Sequence, residues 1–304
     1  MLKYRIISFP LLIALLWGIF FMPDRRLGAG LFAVAAAVLV GCAVYEAAKL
    51  LMAIKLPCYP VFCGIFGGVY VLYFCLMRML YFELSLSLAM LGLALLALPQ
   101  LAGLLRWEKA FRRLIGSYGV LLVLGLPLAL VVDLYFTPLA GKISLLFYVI
   151  VVTKAMDTGG YIFGMLSSHL PGGNHKIAPR ISPKKSYEGF VGGLLLSLLC
   201  GWLFAHFLGQ TPTLYLIGAA VLAVCSFFGD LTESAIKRLA QVKDSGNWIP
   251  GMGGAFDVVD SFLYVGIVCT LALTINQVVQ LVEKRGLAAV LLTCESESYN
   301  GAFR

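Results

Sequence analysis

Long, unbroken apolar segments are the feature that most restricts how this chain of 304 residues can fold. The segments 84–105 and 189–208, for example, contain no Asp, Glu, Lys or Arg. A helix that crosses a bilayer needs about 20 mainly apolar residues, whereas a strand of a membrane barrel shows about ten residues of alternating polarity. These segments do not alternate. The chain is therefore predicted to be an all-α, polytopic transmembrane helical bundle.

The composition excludes the other broad classes. Hydrophobic residues make up 61% of the chain and charged residues only 12%, against about 25% charged residues in a soluble domain. Intrinsic disorder is excluded by the same low polarity. The eight cysteines form no C-x-x-C pair and are expected to be reduced, buried core residues. The three histidines lack the spacing of zinc ligands, so a histidine-bound zinc is not expected.

Breaking the apolar segments at charges, Pro and Gly predicts about nine spans. They lie near 6–22, 28–52, 59–80, 84–105, 116–136, 143–165, 189–209, 213–231 and 257–281. The first follows Lys3 and Arg5, but no small-residue cleavage pattern comes after it, so it is expected to be retained as a helix. The predicted regions are N-terminal helices with about five spans (1–142), a C-terminal catalytic transmembrane region that carries the polar motifs (143–281), and a tail without an assigned role (282–304).

The basic residues predict the orientation of the chain. With nine spans, fifteen Lys and Arg residues fall on the side of the N-terminus and seven on the opposite side. Basic residues near span ends favour the cytoplasm. We therefore expect a multi-pass protein of the cytoplasmic (inner) membrane, with its N-terminus and its two long, functional loops, 166–188 and 232–256, in the cytoplasm. The net charge of +8 then reflects contact with anionic lipids rather than with nucleic acid.

Two polar clusters precede the last spans. In the first, Lys154 and Asp157 stand before a Gly pair inside an apolar segment. Charges at membrane depth are costly, so they either form an ion pair that holds the bundle or line a functional cavity. The second cluster is a loop rich in cations around a stiff Ser-Pro step, which suits a polyanion or else only sets topology. Its polar residues are Lys176, Arg180, Ser182, Lys184 and Lys185.

The third cluster, 229–261, is the most informative. If its first part is helical, Asp230, Glu233, Ser234 and Lys237 share one face, and Asp257 and Asp260 share another. Neighbouring carboxylates repel each other, and Mg²⁺, completed by water and substrate phosphates, would resolve that repulsion. Alternatively, Asp257 caps a helix and Asp260 pairs with Lys237. Backbone N–H groups of the Gly-rich turn at 251–254 would suit phosphate oxygens, as phosphoryl or nucleotidyl transfer requires.

The run 234–260 resembles the signature of the phosphatidate cytidylyltransferases (CDP-diacylglycerol synthases), approximately S-x2-K-R-x4-K-D-x-G-x2-(apolar)-P-G-H-G-G-x2-D-R-x-D. The matching residues are Ser234, Lys237, Arg238, Lys243, Asp244, Gly246, Ile249, Pro250, Gly251, Gly253, Gly254, Asp257 and Asp260. The segments around Asp157 and 176–189 are similar too, whereas the first five spans match only in hydropathy. Met252 and Val258 stand where the family usually has His and Arg.

The resemblance implies a nucleotidyltransferase that converts CTP and phosphatidic acid to CDP-diacylglycerol and pyrophosphate in phospholipid biosynthesis. Mg²⁺ would assist in-line attack of the lipid phosphate on the α-phosphate of CTP, and a second bound cation is compatible with this mechanism. It implies metal ligands at Asp230, Asp257 and Asp260, which with Lys237 and Arg238 form the catalytic set. The implied substrate-binding residues are Asp157, Lys176, Arg180, Ser182, Lys184, Lys185, Ser234, Lys243, Asp244, Gly251, Gly253 and Gly254.

Three alternatives remain open from the sequence. The first is a related cytidylyltransferase for another lipid phosphate. The second is a catalytically silent relative, motivated by Met252 and Val258. The third is an anion transporter that uses Lys154 and Asp157, although no inverted repeat is evident. The expected partners are the two substrates and the bilayer, without nucleic acid; a homodimer is compatible with the sequence.

Overall fold

The architecture was examined in a computed structural model that describes residues 18–80, 108–140, 143–171, 173–248, 253–277 and 279–280. The predicted span 84–105, most of the predicted span 6–22, Gly251, Met252 and the tail 282–304 lie outside these residues. The described chain up to Gly266 forms one compact unit, and the chain from Ile267 onwards forms a second, in which 267–277 is helical.

Helices account for most of the first unit. They are α1 (Arg25–Ala53), α2 (Pro60–Leu80), α3 (Glu108–Val120), a π-helical segment (Leu121–Gly125), α4 (Leu126–Asp133), α5 (Leu145–Ser168), α6 (Tyr187–Phe207), α7 (Pro212–Leu239), α8 (Phe256–Val259) and a 3₁₀ turn (Asp260–Phe262). Two short antiparallel hairpins complete it: β1 (Pro138–Ala140) with β2 (Ile143–Ser144), and β3 (Lys176–Ala178) with β4 (Ser182–Ser186).

Seven helical stretches of the described chain are long and apolar enough to cross a membrane. They are Arg25–Ala53, Pro60–Leu80, Phe111–Asp133, Leu145–Ser168, Tyr187–Phe207, Pro212–Leu239 and Phe256–Gln277. Each corresponds to a predicted span, so the all-α class is confirmed and the protein is a multi-pass membrane protein. The span predicted to end at residue 231 is too short, because α7 continues to Leu239. Its last two turns carry charged side chains that are satisfied by partners within the protein, so polarity does not end the helix.

The seven described cysteines are all free, as predicted, but their burial was overestimated. Only Cys58, Cys63 and Cys75 are buried; the other four described cysteines are partly exposed. On a membrane-spanning helix, an apolar side chain can face the apolar interior of the bilayer instead of the protein core. An apolar segment therefore predicts the helix correctly but does not predict which of its residues are buried within the protein.

Glycines let α5 and α6 pack closely at the level of the polar clusters. A Cβ on Gly159 would lie 2.8 Å from the Cα of Gly193, and a Cβ on Gly189 would lie 2.7 Å from the carbonyl oxygen of Gly160. Both approaches are closer than side chains tolerate. The Gly pair of the first cluster therefore serves helix packing, which brings the start of α6 against the middle of α5.

Replacing Gly159 with Ala is expected to destabilise the protein by about 1–3 kcal/mol, because the new methyl group would overlap the backbone of α6. The matched control is Gly30→Ala in α1, where an added Cβ meets nothing within 4 Å. That change should be neutral or stabilising, since Ala is the better helix former. Thermal unfolding of both variants in the same detergent measures the difference. Equal melting temperatures would contradict the close packing of α5 on α6.

Candidate active site

The polar clusters of the sequence meet around one cavity of about 420 Å³. Its walls come from the second half of α5, the hairpin β3–β4, the start of α6 and the second half of α7. Six of the predicted site residues line it: Asp157, Lys176, Ser182, Lys184, Lys185 and Asp230. Residues separated by more than 70 positions thus line one cavity.

Asp157 and Lys154 form the ion pair that the i,i+3 spacing predicted. The ammonium Nζ of Lys154 lies 2.9 Å from Asp157 Oδ2 and donates a second hydrogen bond, also 2.9 Å, to the hydroxyl of Ser261. Ser226 of α7 donates to the other carboxylate oxygen of Asp157 over 3.4 Å. Because Asp157 also lines the cavity, the two alternatives for this cluster are compatible: the pair stabilises the bundle and contributes to the site.

Lys185 and Asp230 form a second ion pair in the cavity wall. Lys185 Nζ lies 3.3 Å from Asp230 Oδ2, donates to the carbonyl oxygen of Phe227 over 3.2 Å, and sits 4.6 Å from the centre of the Phe227 ring. These three contacts hold the ammonium against α7. The lysine is therefore fixed at the cavity rather than free in solvent, as the stiff Ser-Pro loop predicted.

Asp230 also interacts electrostatically with the carboxylates of Asp157 and Asp260. The backbone of α7 approaches the 3₁₀ turn closely, since a Cβ on Gly229 would overlap the carbonyl oxygen of Asp260. Three carboxylates and two lysines, Lys154 and Lys185, therefore share this region. Carboxylate oxygens are ligands that a divalent cation such as Mg²⁺ prefers.

The predicted metal set is divided in the structure. Among the described residues, no group of three or more His, Cys, Asp or Glu side chains could hold a metal ion. Asp230 and Asp260 lie in the cluster around Asp157, whereas Asp257 belongs to a neighbouring network. A pair of carboxylates is still sufficient for Mg²⁺, which is commonly bound through one or two carboxylates together with substrate phosphates. Metal binding stays a prediction, for which Asp230 and Asp260 are the best-placed residues.

Lys237 joins two carboxylates in that neighbouring network. Its ammonium Nζ lies 2.6 Å from Glu233 Oε2 and 2.8 Å from Asp257 Oδ1. Glu233 is buried, whereas Lys237 and Asp257 are mostly buried, with 14% and 10% of their side chains exposed. The predicted phosphate contact of Lys237 therefore competes with two ion pairs. The predicted alternative pairing of Lys237 with Asp260 is replaced by pairing with Asp257.

Asp257 holds the loop that precedes it. Its carboxylate accepts hydrogen bonds from the backbone N–H of Ser245 (3.1 Å) and of Gly254 (2.7 Å). Gly253 has φ +100°, where a side chain would be strained, and a Cβ there would overlap Asp257. Asp257 thus holds the turn, but it does not cap α8, whose N-cap residue is Ala255 without a side-chain cap. The alternative that Asp257 caps a helix is therefore wrong. The N–H of Gly254 points into the protein and not towards a substrate.

The remaining predicted residues surround the cavity at a greater distance. The guanidinium Nε of Arg238 donates to the carbonyl oxygen of Ile181 over 3.2 Å, so it anchors the turn of the β3–β4 hairpin. Arg180, in that turn, is exposed, as are Lys243 and Asp244. Ser234 is partly buried on α7. None of these five residues lines the cavity.

The sequence analysis missed two buried carboxylates, Glu46 and Glu233. Glu46 lies on α1, is 2% exposed, and accepts hydrogen bonds from Ser245 and Phe256. The signal was present, because Glu46 is the one acidic residue of the predicted span 28–52 and a charge inside a span is a functional candidate. Glu233 was placed on the correct helix face but was not included among the site residues.

Together the fold and the site define a multi-pass membrane protein in which three lysines and two half-buried aspartates line one cavity. The chain belongs to the cytidylyltransferase family, whose model matches residues 3–276. It is 44% identical to the phosphatidate cytidylyltransferase of Staphylococcus saprophyticus over 134 residues, which cover 43% of this chain and 49% of that protein. It is 41% identical to the phosphatidate cytidylyltransferase of Bacillus subtilis over 126 residues, which cover 40% and 45%.

The phosphatidate cytidylyltransferase of Haemophilus influenzae is also similar, with 41% identity over 123 residues that cover 38% of this chain and 41% of that protein. The chain thus spans about half the length, or less, of the curated relatives that it matches. The resemblance to phosphatidate cytidylyltransferases drawn from the sequence is confirmed at the level of the family.

Proposed function

We propose that this protein transfers a cytidylyl group from CTP to phosphatidic acid and releases CDP-diacylglycerol and pyrophosphate. The observation that carries the proposal is the cavity of about 420 Å³, where three lysines lie beside two half-buried aspartates among membrane-spanning helices. Family membership and the names of the relatives support the same reaction. A lipid phosphate held by its acyl chains in the bilayer would reach such a cavity without leaving the membrane.

The reaction joins two polyanions that repel each other. An oxygen of the lipid phosphate forms a bond to the α-phosphorus of CTP, and the bond from that phosphorus to the bridging oxygen breaks, so that pyrophosphate leaves with the electron pair. The site must therefore neutralise charge and align the attack. Lys176, Lys184 and Lys185 line the cavity and supply positive charge for the phosphates.

Asp230 and Asp260 would hold Mg²⁺, because the two carboxylates interact with each other and Mg²⁺ bound through two carboxylates is completed by phosphate and water. When bound, the ion would neutralise phosphate charge and stabilise the developing charge on the leaving group. Lys154 and Lys185 orient Asp157 and Asp230 through their ion pairs. We assign Lys237 and Asp257 to holding the loop 240–255 in place, rather than to direct contact with phosphate.

The bacterial relatives support placement in the cytoplasmic (inner) membrane. The site lies at the ends of α5 and α7 that the distribution of basic residues assigns to the cytoplasm, where CTP is available. The N-terminus is proposed to lie on the same side.

Purified protein in detergent is expected to convert labelled CTP and phosphatidic acid to a lipid-linked CMP and pyrophosphate in the presence of Mg²⁺. EDTA should abolish the reaction and added Mg²⁺ should restore it. Turnover would also demonstrate that Met252 and Val258 are compatible with catalysis. Protein that binds CTP but forms no product with phosphatidic acid would contradict the proposal, and assays with other lipid phosphates would then identify the acceptor.

A further inference from the structure

We propose that Glu46, on α1, is a positioning residue that fixes the loop between α7 and α8 beside the site. Only the expected effect of Glu46 on the reaction rate rests on the proposed function, because the contacts of Glu46 are seen directly in the structure. Glu46 is almost 200 positions away from the loop in sequence.

One oxygen of Glu46 connects the middle of the loop to the start of α8. Glu46 Oε2 accepts a hydrogen bond from the hydroxyl of Ser245 (2.8 Å) and another from the backbone N–H of Phe256 (2.9 Å). The side chain is 2% exposed, so water cannot replace these bonds without opening the structure. Loss of a hydrogen-bond partner costs more folding free energy at a buried polar group than at an exposed one, because water can replace the partner of the exposed group. Glu46 therefore ties α1 to the segment that carries Asp257.

Two glycines of the signature leave room for this carboxylate. A Cβ on Gly246 would overlap Glu46 Oε1, and a Cβ on Gly254 would overlap Glu46 Oε2. The presence of Glu46 is therefore sufficient to require glycine at both positions. This gives the signature glycines a physical role in a part of the loop that the structure describes.

Glu46 and Asp257 act on the same residues from two sides. The hydroxyl of Ser245 donates to Glu46 while its backbone N–H donates to Asp257, and Gly254 packs on Glu46 while its N–H also donates to Asp257. Asp257 is in turn bound to Lys237 of α7. Release of Glu46 would therefore loosen the loop that links α7 to the 3₁₀ turn bearing Asp260.

The two hydrogen bonds determine which substitutions should matter. Glu46→Gln keeps an oxygen at the position of Oε2, so it can accept both bonds. Glu46→Met has a similar volume and accepts neither. Ser245→Ala removes one donor and keeps the bond from Phe256, so it provides a milder variant that folds even if Glu46→Met does not.

Limited trypsin digestion tests the contact without any assay of the proposed reaction. Lys243 is exposed at the start of the loop. In Glu46→Met, cleavage after Lys243 is expected to be roughly fivefold faster than in the wild type, as the loss of about 1 kcal/mol of local stability predicts. Ser245→Ala should be cleaved at an intermediate rate, and Glu46→Gln at the wild-type rate. Equal cleavage rates in all four proteins would overturn the proposal.

The kinetic test separates positioning from general stability. In Glu46→Met that retains the wild-type melting temperature, kcat/KM for CTP is expected to fall about tenfold or more, and Glu46→Gln should restore it. The KM for the lipid phosphate should change little. Wild-type rates in Glu46→Met, or a loss in Glu46→Gln as large as in Glu46→Met, would overturn the role. If the wild type itself transfers no cytidylyl group, the proposed function fails while the digestion still decides the contact.

Discussion

Asp260→Asn is expected to abolish turnover while leaving a folded, membrane-inserted protein. The substitution keeps the size of the side chain and removes one negative charge from the cluster shared with Asp157 and Asp230. A metal ion supplies several kcal/mol of charge stabilisation, so its loss should lower kcat by about 100-fold or more. Activity per folded molecule, with the melting temperature measured on the same sample, checks this expectation.

The matched control for this change is Asp133→Asn. Asp133 is also a carboxylate of a spanning helix, and it pairs with Arg78 over 2.8 Å. Asp133 lies far from the site. The next residue, Leu134, accepts a hydrogen bond from the N–H of Leu146 at the start of α5, and Leu146 is about 16 Å along that helix from Asp157. The control should retain its rate per folded molecule. Normal activity in Asp260→Asn would remove Asp260 from the metal assignment.

Lys237→Met is expected to destabilise the protein by about 3–5 kcal/mol, because it leaves Glu233 and Asp257 buried without their cation. The side chain of Glu233 is only 2% exposed, so solvent cannot take over this role. A residue whose main task is to bind phosphate would behave differently: its loss would raise the KM for CTP and leave stability unchanged. Thermal unfolding and the KM for CTP, measured together, distinguish the two roles.

Two further variants test the cause of the instability. Lys237→Arg keeps the charge and should retain most of the stability. The double variant Lys237→Met/Glu233→Gln removes one of the two orphaned carboxylates and should recover part of the loss. A double variant as unstable as the single variant would contradict the ion-pair explanation, because the penalty would then not depend on the unpaired carboxylate.

Much of the site could be predicted from the sequence, because its chemistry is local. Lys154 and Asp157 stand three positions apart on one helix, and their ion pair follows from that spacing. Glu233 and Lys237 are four positions apart on the predicted face, and they too form an ion pair. The lysines of 176–185 line the same cavity as Asp230.

The assignment of individual carboxylates could not be predicted in the same way. Asp257 and Asp260 are three positions apart and share a predicted face, yet one binds Lys237 and loop N–H groups while the other joins Asp157 and Asp230. The two residues lie against different parts of α7: Asp257 contacts Lys237, whereas the backbone of Asp260 lies against Gly229, two turns earlier in that helix.

The sequence by itself determined the class, the helices and the chemical nature of the site. Apolar segments of spanning length must form helices in the bilayer, because their backbone N–H and C=O groups find no water there and must pair within the segment. Only the tertiary structure decided which helices meet and therefore which polar groups are shared. Glu46 lies in α1, and its partner Ser245 stands 199 positions later. Hydropathy predicts that a segment leaves water, but it does not predict which helix the segment packs against. That choice depends on close contacts such as the one between Gly159 and Gly193.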